Sequence, residues 1–126
     1  MNENEISKII VDCAIEVHRT LGGPGLLESV YEECLVWELL QKGLKVDRQV
    51  SLPIKYKGNI ISSPLKIDLI VSDKVIIECK AVSENNDIFE VQVLTYLRLS
   101  GIKLGLVINF GQKYVKDGIH RVVNNL

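Results

Sequence analysis

No apolar run in the sequence approaches the roughly 20 residues that a helix needs to cross a bilayer, and the opening segment MNENEISKII is polar and acidic before it turns apolar. A membrane-embedded helical protein and a secretory signal peptide are both excluded on that reading, and a cytoplasmic location is expected. Paired cysteines are missing as well. Cys13, Cys34 and Cys79 are far apart, lack CxxC spacing and have apolar neighbours, which is the pattern of core thiols in a reducing compartment and not of a zinc site or a disulfide framework. His18 and His120 have no metal-ligand spacing, and neither GxSxG nor a glycine-rich phosphate loop occurs, so zinc-hydrolase, serine-hydrolase and P-loop chemistry lack their usual residues. His18 reads as a helix-surface or cap residue and His120 as a tail residue. Cys79 is expected to point away from any acidic face.

An excess of positive charge is absent too. The formal net charge is −1, so no chain-wide basic surface for a duplex backbone is evident. The charge is nevertheless uneven: Lys42, Lys45, Arg48, Lys55, Lys57 and Lys66 form a basic central stretch, whereas residues 28–38 and 84–90 are acid-rich. A local basic patch stays open. Repeats, linkers and low-complexity segments are also missing, and 126 residues with 47% hydrophobic and 25% charged side chains suit one domain, residues 1–126, around one core.

Within that domain, Ile6, Ile9, Ile10, Cys13, Ala14 and Val17 recur at helical spacing over residues 5–20, and Gly22-Gly23 provide a stop. A second helix is predicted from Leu26 to Lys42, with apolar residues nearly all round and therefore cover expected on more than one side; Tyr31 and Trp37 read as core. A strand is predicted over Arg48–Lys57, with Pro53 hinting at an edge and Lys57-Gly58-Asn59 supplying turn chemistry. Strands at 65–71 and 75–81 flank the short Ser72-Asp73-Lys74 connection, which suggests antiparallel pairing. A helix from Ile88 to Ser100, closed by Gly101, a buried strand from Lys103 to Phe110 and a tail from Gly118 to Val123 that suits a short strand or a helical turn, the strand being favoured, complete the order. The expected class is α/β, a mixed sheet flanked by helices.

Chemistry concentrates in LKIDLIVSDKVIIECKA. Strict alternation puts Lys66, Asp68 and Ile70 on one face of the first strand, Ile67, Leu69 and Val71 on the other, and Glu78 with Lys80 on one face of the second. A three-residue connection sets Asp68 directly opposite Glu78; a shift by one residue makes them diagonal neighbours. Facing carboxylates at ~4 Å repel by about 4 kcal/mol at an effective dielectric near 20, so a fold that places them among apolar strands needs compensation. Lys80 supplies one positive charge, and a divalent cation supplies two; the alternative is a raised carboxylate pKa. The competing reading is a pair of ordinary hairpin charges on a solvated sheet face. Gln92, in line with Ile88, Tyr96 and Leu99, and Glu28, in line with Tyr31, Leu35 and Leu39, are polar members of apolar stripes and are expected to face protein instead of water.

Gly25-Leu-Leu-Glu28-Ser-Val-Tyr31, together with AIEVHRTLGGPGLLESVYEE, IDLIV, VIIECKAV, the helix carrying Gln92 and Tyr96, and LGLVINFG, resembles the GxxExxY proteins of the PD-(D/E)XK nuclease superfamily. The resemblance runs along nearly the whole chain. It implies a restriction-endonuclease-like αβββαβ core with an extra N-terminal helix. It also implies Asp68, Glu78 and the Cys79 backbone carbonyl as ligands of Mg²⁺ or Mn²⁺, with Glu28 as the helical acid at the edge. Lys80 would meet the attacking water or the scissile phosphate, and Gln92 and Tyr96 would support the site or touch substrate. No proline precedes Asp68, and Lys66-Ile67 stands where an arginine and a small residue are expected, so Lys66 keeps a positive charge for substrate without arginine's bidentate grip. The implied activity is metal-dependent hydrolysis of phosphodiester bonds in DNA or RNA. Cutting both strands of a duplex calls for two sites, so a homodimer is an expectation for that case. The rival is an inactive nuclease-fold module that binds nucleic acid or a protein partner.

Overall fold

The computed structural model describes residues 1–126. Helix α1, Glu3–Leu21, begins in a reciprocal cap: the Asn2 side chain accepts the Glu5 N–H and the Glu5 carboxylate accepts the Asn2 N–H. It buries Ile6, Ile10, Cys13, Ala14 and Val17. It ends at Gly22, whose φ of 87° is left-handed backbone that glycine adopts without a Cβ clash. Helix α2, Glu28–Gln41, buries Tyr31, Leu35 and Leu39 completely. The expectation of cover on several sides fails here. Trp37 and Leu40 are 60% and 52% exposed because α1 and the sheet occupy only one flank of α2, so Trp37 is no core residue. Cys34 is half-buried for the same reason.

Strand β1, Val46–Leu52, stops before Pro53, which has no N–H to offer a ladder. The single strand predicted over Arg48–Lys57 is therefore two elements. The second, β2, Lys55–Tyr56, pairs with β3, Asn59–Ile60, across Lys57 and Gly58, both at positive φ. Strands β4, Leu65–Val71, and β5, Val75–Lys80, follow, joined by Ser72–Lys74 as expected. Helix α3, Asp87–Ser100, is capped by the Asn86 side chain, which accepts the Ile88 N–H. Strand β6, Leu104–Asn109, a 3-10 turn, Val115–Gly118, and strand β7, Ile119–Val123, close the chain.

The main sheet has the order β1-β4-β5-β6-β7. Only β5 and β6 are parallel, and α3 is their crossover. Helices α1 and α2 cover one face, where Tyr31, Leu35, Leu69, Val71, Ile77, Cys79, Leu106 and Phe110 share the larger core. Helix α3 covers the other, packing Val93 and Leu97 on Ile67, Ile76, Val107 and Val122. It comes so close that a Cβ on Gly105 would lie 2.4 Å from Val93 Cγ1, which explains a glycine inside a buried strand. No helix is long and apolar enough to cross a membrane.

Candidate metal centre

Strands β4 and β5 pair Leu69 with Ile77, Ile70 with Ile76 and Val71 with Val75. That register sets Asp68 across from Glu78, the first of the two alternatives left by the sequence. At this rung, however, side chains replace the backbone ladder. The Glu78 carboxylate accepts the Asp68 N–H at 3.1 Å, and the Asp68 carboxylate accepts the Cys79 N–H at 2.9 Å. Beyond it β5 continues only against β6, with Glu78, Cys79 and Lys80 beside Val107, Ile108 and Asn109. The two strands therefore part into a fork with one carboxylate on each prong.

The face assignment read from strict alternation needs correcting. Ile67 packs with Ile76, Val93 and Leu97 under α3, while Leu69 and Val71 pack under α1 and α2. The neighbouring β1 behaves likewise, Val50 lying against the α3 cluster and Val46 against the other. The switch coincides with Gln49, which has φ of 48° and falls between the paired Arg48–Leu69 and Val50–Ile67 rungs. A residue in left-handed backbone turns the strand over, as a β-bulge does. In consequence the Asp68 carboxylate approaches Cys79 and α2: carboxylate oxygens of Glu32 and Asp68 and the Cys79 Sγ lie within 4.8 Å of one another. Cys79 thus does not point away from the acids.

Helix α2 supplies two acids. Glu28, in its first turn, is exposed instead of facing protein, because it sits at the helix end beyond the sheet's cover. Partial burial of its carboxyl, with the charge of Asp68, still raises its pKa. Glu32, one turn later, is buried and held by Arg48 Nη2 at 3.1 Å and Gln49 Nε2 at 3.2 Å. Gln49 Nε2 also reaches Asp68 Oδ1 at 3.4 Å. Sequence reading missed all three as site residues. Glu32 had a signal, being adjacent to Tyr31 and three residues before Leu35 on the buried stripe; Gln49 had none, since a positive φ at a non-glycine residue leaves no mark in a sequence.

The loop before α2 is fixed by Tyr31. Its hydroxyl donates to the Gly23 carbonyl at 2.7 Å and accepts the Leu26 N–H at 3.2 Å, while its ring stacks on Phe110 at 4.8 Å between centroids. His18 is buried beside this pair, with Nε2 3.1 Å from the Phe110 carbonyl oxygen. It is an internal strut and not the surface or cap residue expected, because the C-terminal turn of α1 lies under the Phe110 loop.

Lys80 makes no ion pair with any of these acids; its Nζ lies 4.8 Å from the centroid of the Phe89 ring. Tyr96 is half-buried, and its pKa is raised by burial and by the charges of Glu78 and Asp68. Gln92 is exposed, since the buried stripe of α3 runs through Val93 and Leu97 and not through Ile88 and Leu99. Lys66 is exposed at the start of β4.

Glu78 is 6% exposed, and desolvation together with neighbouring Asp68 pushes its pKa up to about 8. A carboxyl raised in the folded state keeps its proton where the unfolded chain has lost it, so stability falls as pH rises from about 4.5 to about 8. Each pH unit of that window is worth up to about 1.4 kcal/mol. Urea unfolding in a chelating buffer should follow this slope, and Glu78→Gln should flatten it; an unchanged slope in the variant would assign the effect elsewhere.

The Asp68 and Glu78 carboxyl groups meet here with no cation of the chain bonded to either, and hard oxygen donors of this kind fit a divalent cation. A site built on Glu32 and the Cys79 thiol fits less well. Burial holds that thiol well above its usual pKa, and the Glu32 oxygens are already engaged by Arg48 and Gln49.

A mixed five-stranded sheet flanked by helices, with acids at the fork of two central strands, defines a restriction-endonuclease-like core. The sequence model of the PD-(D/E)XK nuclease superfamily matches residues 4–122, and the chain belongs to that superfamily. Comparison with curated proteins and with solved structures gave no match.

Proposed function

We propose that the chain is a metal-dependent nuclease hydrolysing phosphodiester bonds in DNA, and that within its superfamily it belongs to the GxxExxY group through Gly25, Glu28 and Tyr31. The observation that carries this reading is the fork itself, where buried Glu78, raised to about 8, and Asp68 face each other with no cation of the chain bonded to either. Asp68, Glu78 and the Cys79 carbonyl would hold Mg²⁺ or Mn²⁺, with Glu28 at the rim. When bound, such an ion acidifies water, holds a phosphate oxygen and offsets charge in the transition state.

The chain's own residues do the rest. Lys80, unpaired, brings a fixed positive charge to the phosphate or the attacking water. Arg48 and Gln49 position Asp68 by neutralising and anchoring Glu32 beside it. Tyr96, with Gln92 one turn before it, borders the site from α3, and Lys66 adds charge along the substrate path. Cutting both strands of a duplex calls for two such sites, so the working unit is proposed as a cytoplasmic homodimer. The net charge of −1 favours the competing reading, a module that binds without cutting.

Calorimetric titration with Mn²⁺ tests the centre. Asp68→Ala should bind at least about tenfold more weakly than the wild type, the scale on which even outer groups of metal sites act. Equal affinity would remove the metal centre and with it this mechanism.

A further inference from the structure

Residues 53–64 leave the sheet after β1 and rejoin it at β4, bracketed by Pro53 and Pro64. Within them β2 and β3 pair only with each other, and one further bond runs from the Ile61 N–H to the Ile54 carbonyl at 3.0 Å. None of their side chains joins the hydrophobic cores, and Tyr56 and Ile60 are 63% and 67% exposed. A lone two-stranded ribbon is marginal in water unless something packs on it. Its charge points to that something: from residue 53 to residue 67 there are three lysines, Lys55, Lys57 and Lys66, and no acid, in a chain of net charge −1.

Its position is as telling. Because β4 runs antiparallel to β5, the start of β4 lies at the same end of the sheet as Lys80. The ribbon therefore projects from the end at which the Asp68–Glu78 fork opens. A polyanion lying along the ribbon would have its backbone led to the fork.

We infer that residues 53–64 form an arm that enters the major groove of duplex DNA beside the scissile phosphate, with Lys55 and Lys57 on phosphates and Tyr56 packed in the groove. The major groove of B-form DNA, about 12 Å wide, admits a two-stranded ribbon, whereas the deep, narrow major groove of A-form RNA does not. The Lys57 Nζ already lies 5.5 Å from the Tyr56 ring centroid, so charge and aromatic surface act from one tip. The placement beside a scissile bond rests on the nuclease reading above; the grip on duplex DNA does not.

Fluorescence anisotropy with a labelled DNA duplex in EDTA tests the arm without hydrolysis or metal. At 0.1 M salt the Lys55→Ala/Lys57→Ala double variant should bind roughly tenfold to sixtyfold more weakly than the wild type, and its slope of log K against log[salt] should fall by about two units. Tyr56→Ala should also weaken binding, and Lys8→Ala, an exposed lysine of α1 outside the arm, should not. Melting temperatures should stay close to the wild type, since these side chains are exposed and join neither core. Arm variants that bind like the wild type, a wild type that binds no DNA, or preference for duplex RNA of the same sequence would each overturn the arm. Loss of metal binding and cleavage with duplex binding intact would overturn only the nuclease reading.

Discussion

Replacing Lys80 with alanine is expected to slow cleavage of a DNA duplex by about 10²–10³-fold, the usual cost of removing one fixed charge-stabilising group from an active site. Lys80 is half-buried, forms no ion pair and lies against Phe89, so its charge is uncommitted; Arg48, the other cation at the site, is bonded to Glu32. Single-turnover cleavage with Mg²⁺ or Mn²⁺ reads the loss. Mn²⁺ affinity should change far less than in Asp68→Ala, because Lys80 offers no donor oxygen. The pH profile adds a second readout. Lys80 lowers the pKa of Glu78, so without it Glu78 keeps its proton to higher pH and the acid limb of the profile moves upward. Cleavage at the wild-type rate by Lys80→Ala would sink its assignment.

Tyr31→Ala is expected to cost about 3–5 kcal/mol of stability, as large-to-small changes at buried aromatic residues do. The ring is fully buried and stacked on Phe110. Tyr31→Phe keeps the stack and loses only the hydroxyl, leaving the Gly23 carbonyl and the Leu26 N–H without their partner, for about 1–3 kcal/mol. Urea denaturation measures both. The phenylalanine variant should also lose cleavage activity out of proportion to its stability, since the released loop leads directly into Glu28. A Tyr31→Phe protein as stable and active as the wild type would show that the hydroxyl does not set that loop.

Much of the architecture was legible because it depends on local rules. The spacing of Ile6, Ile10, Cys13 and Val17 marks α1, and the three-residue Ser72–Lys74 connection sets the β4–β5 register and so brings Asp68 opposite Glu78. What escaped depends on contacts distant in sequence. Alternation misassigned Ile67 because Gln49, on another strand, marks where β1 and β4 turn over together. His18 looked like a cap because nothing near it in the chain announces the Phe110 loop 92 residues away. Trp37 looked buried because an apolar helix face reads the same whether or not a neighbour covers it. Glu32 went unnoticed although its stripe was visible, since its partners Arg48 and Gln49 come from a strand that the sequence places only loosely.

The fork has one more consequence. At the rung where β4 and β5 part, Asp68 and Glu78 are also the rivets, each side chain clasping a main-chain N–H of the opposite strand. A chain that lost its chemistry by exchanging either acid for an apolar residue would also unfasten the middle of its own sheet. The acids thus serve the architecture as well as the proposed chemistry, and their presence alone is a weaker sign of a working enzyme than the presence of Lys80, which fastens nothing.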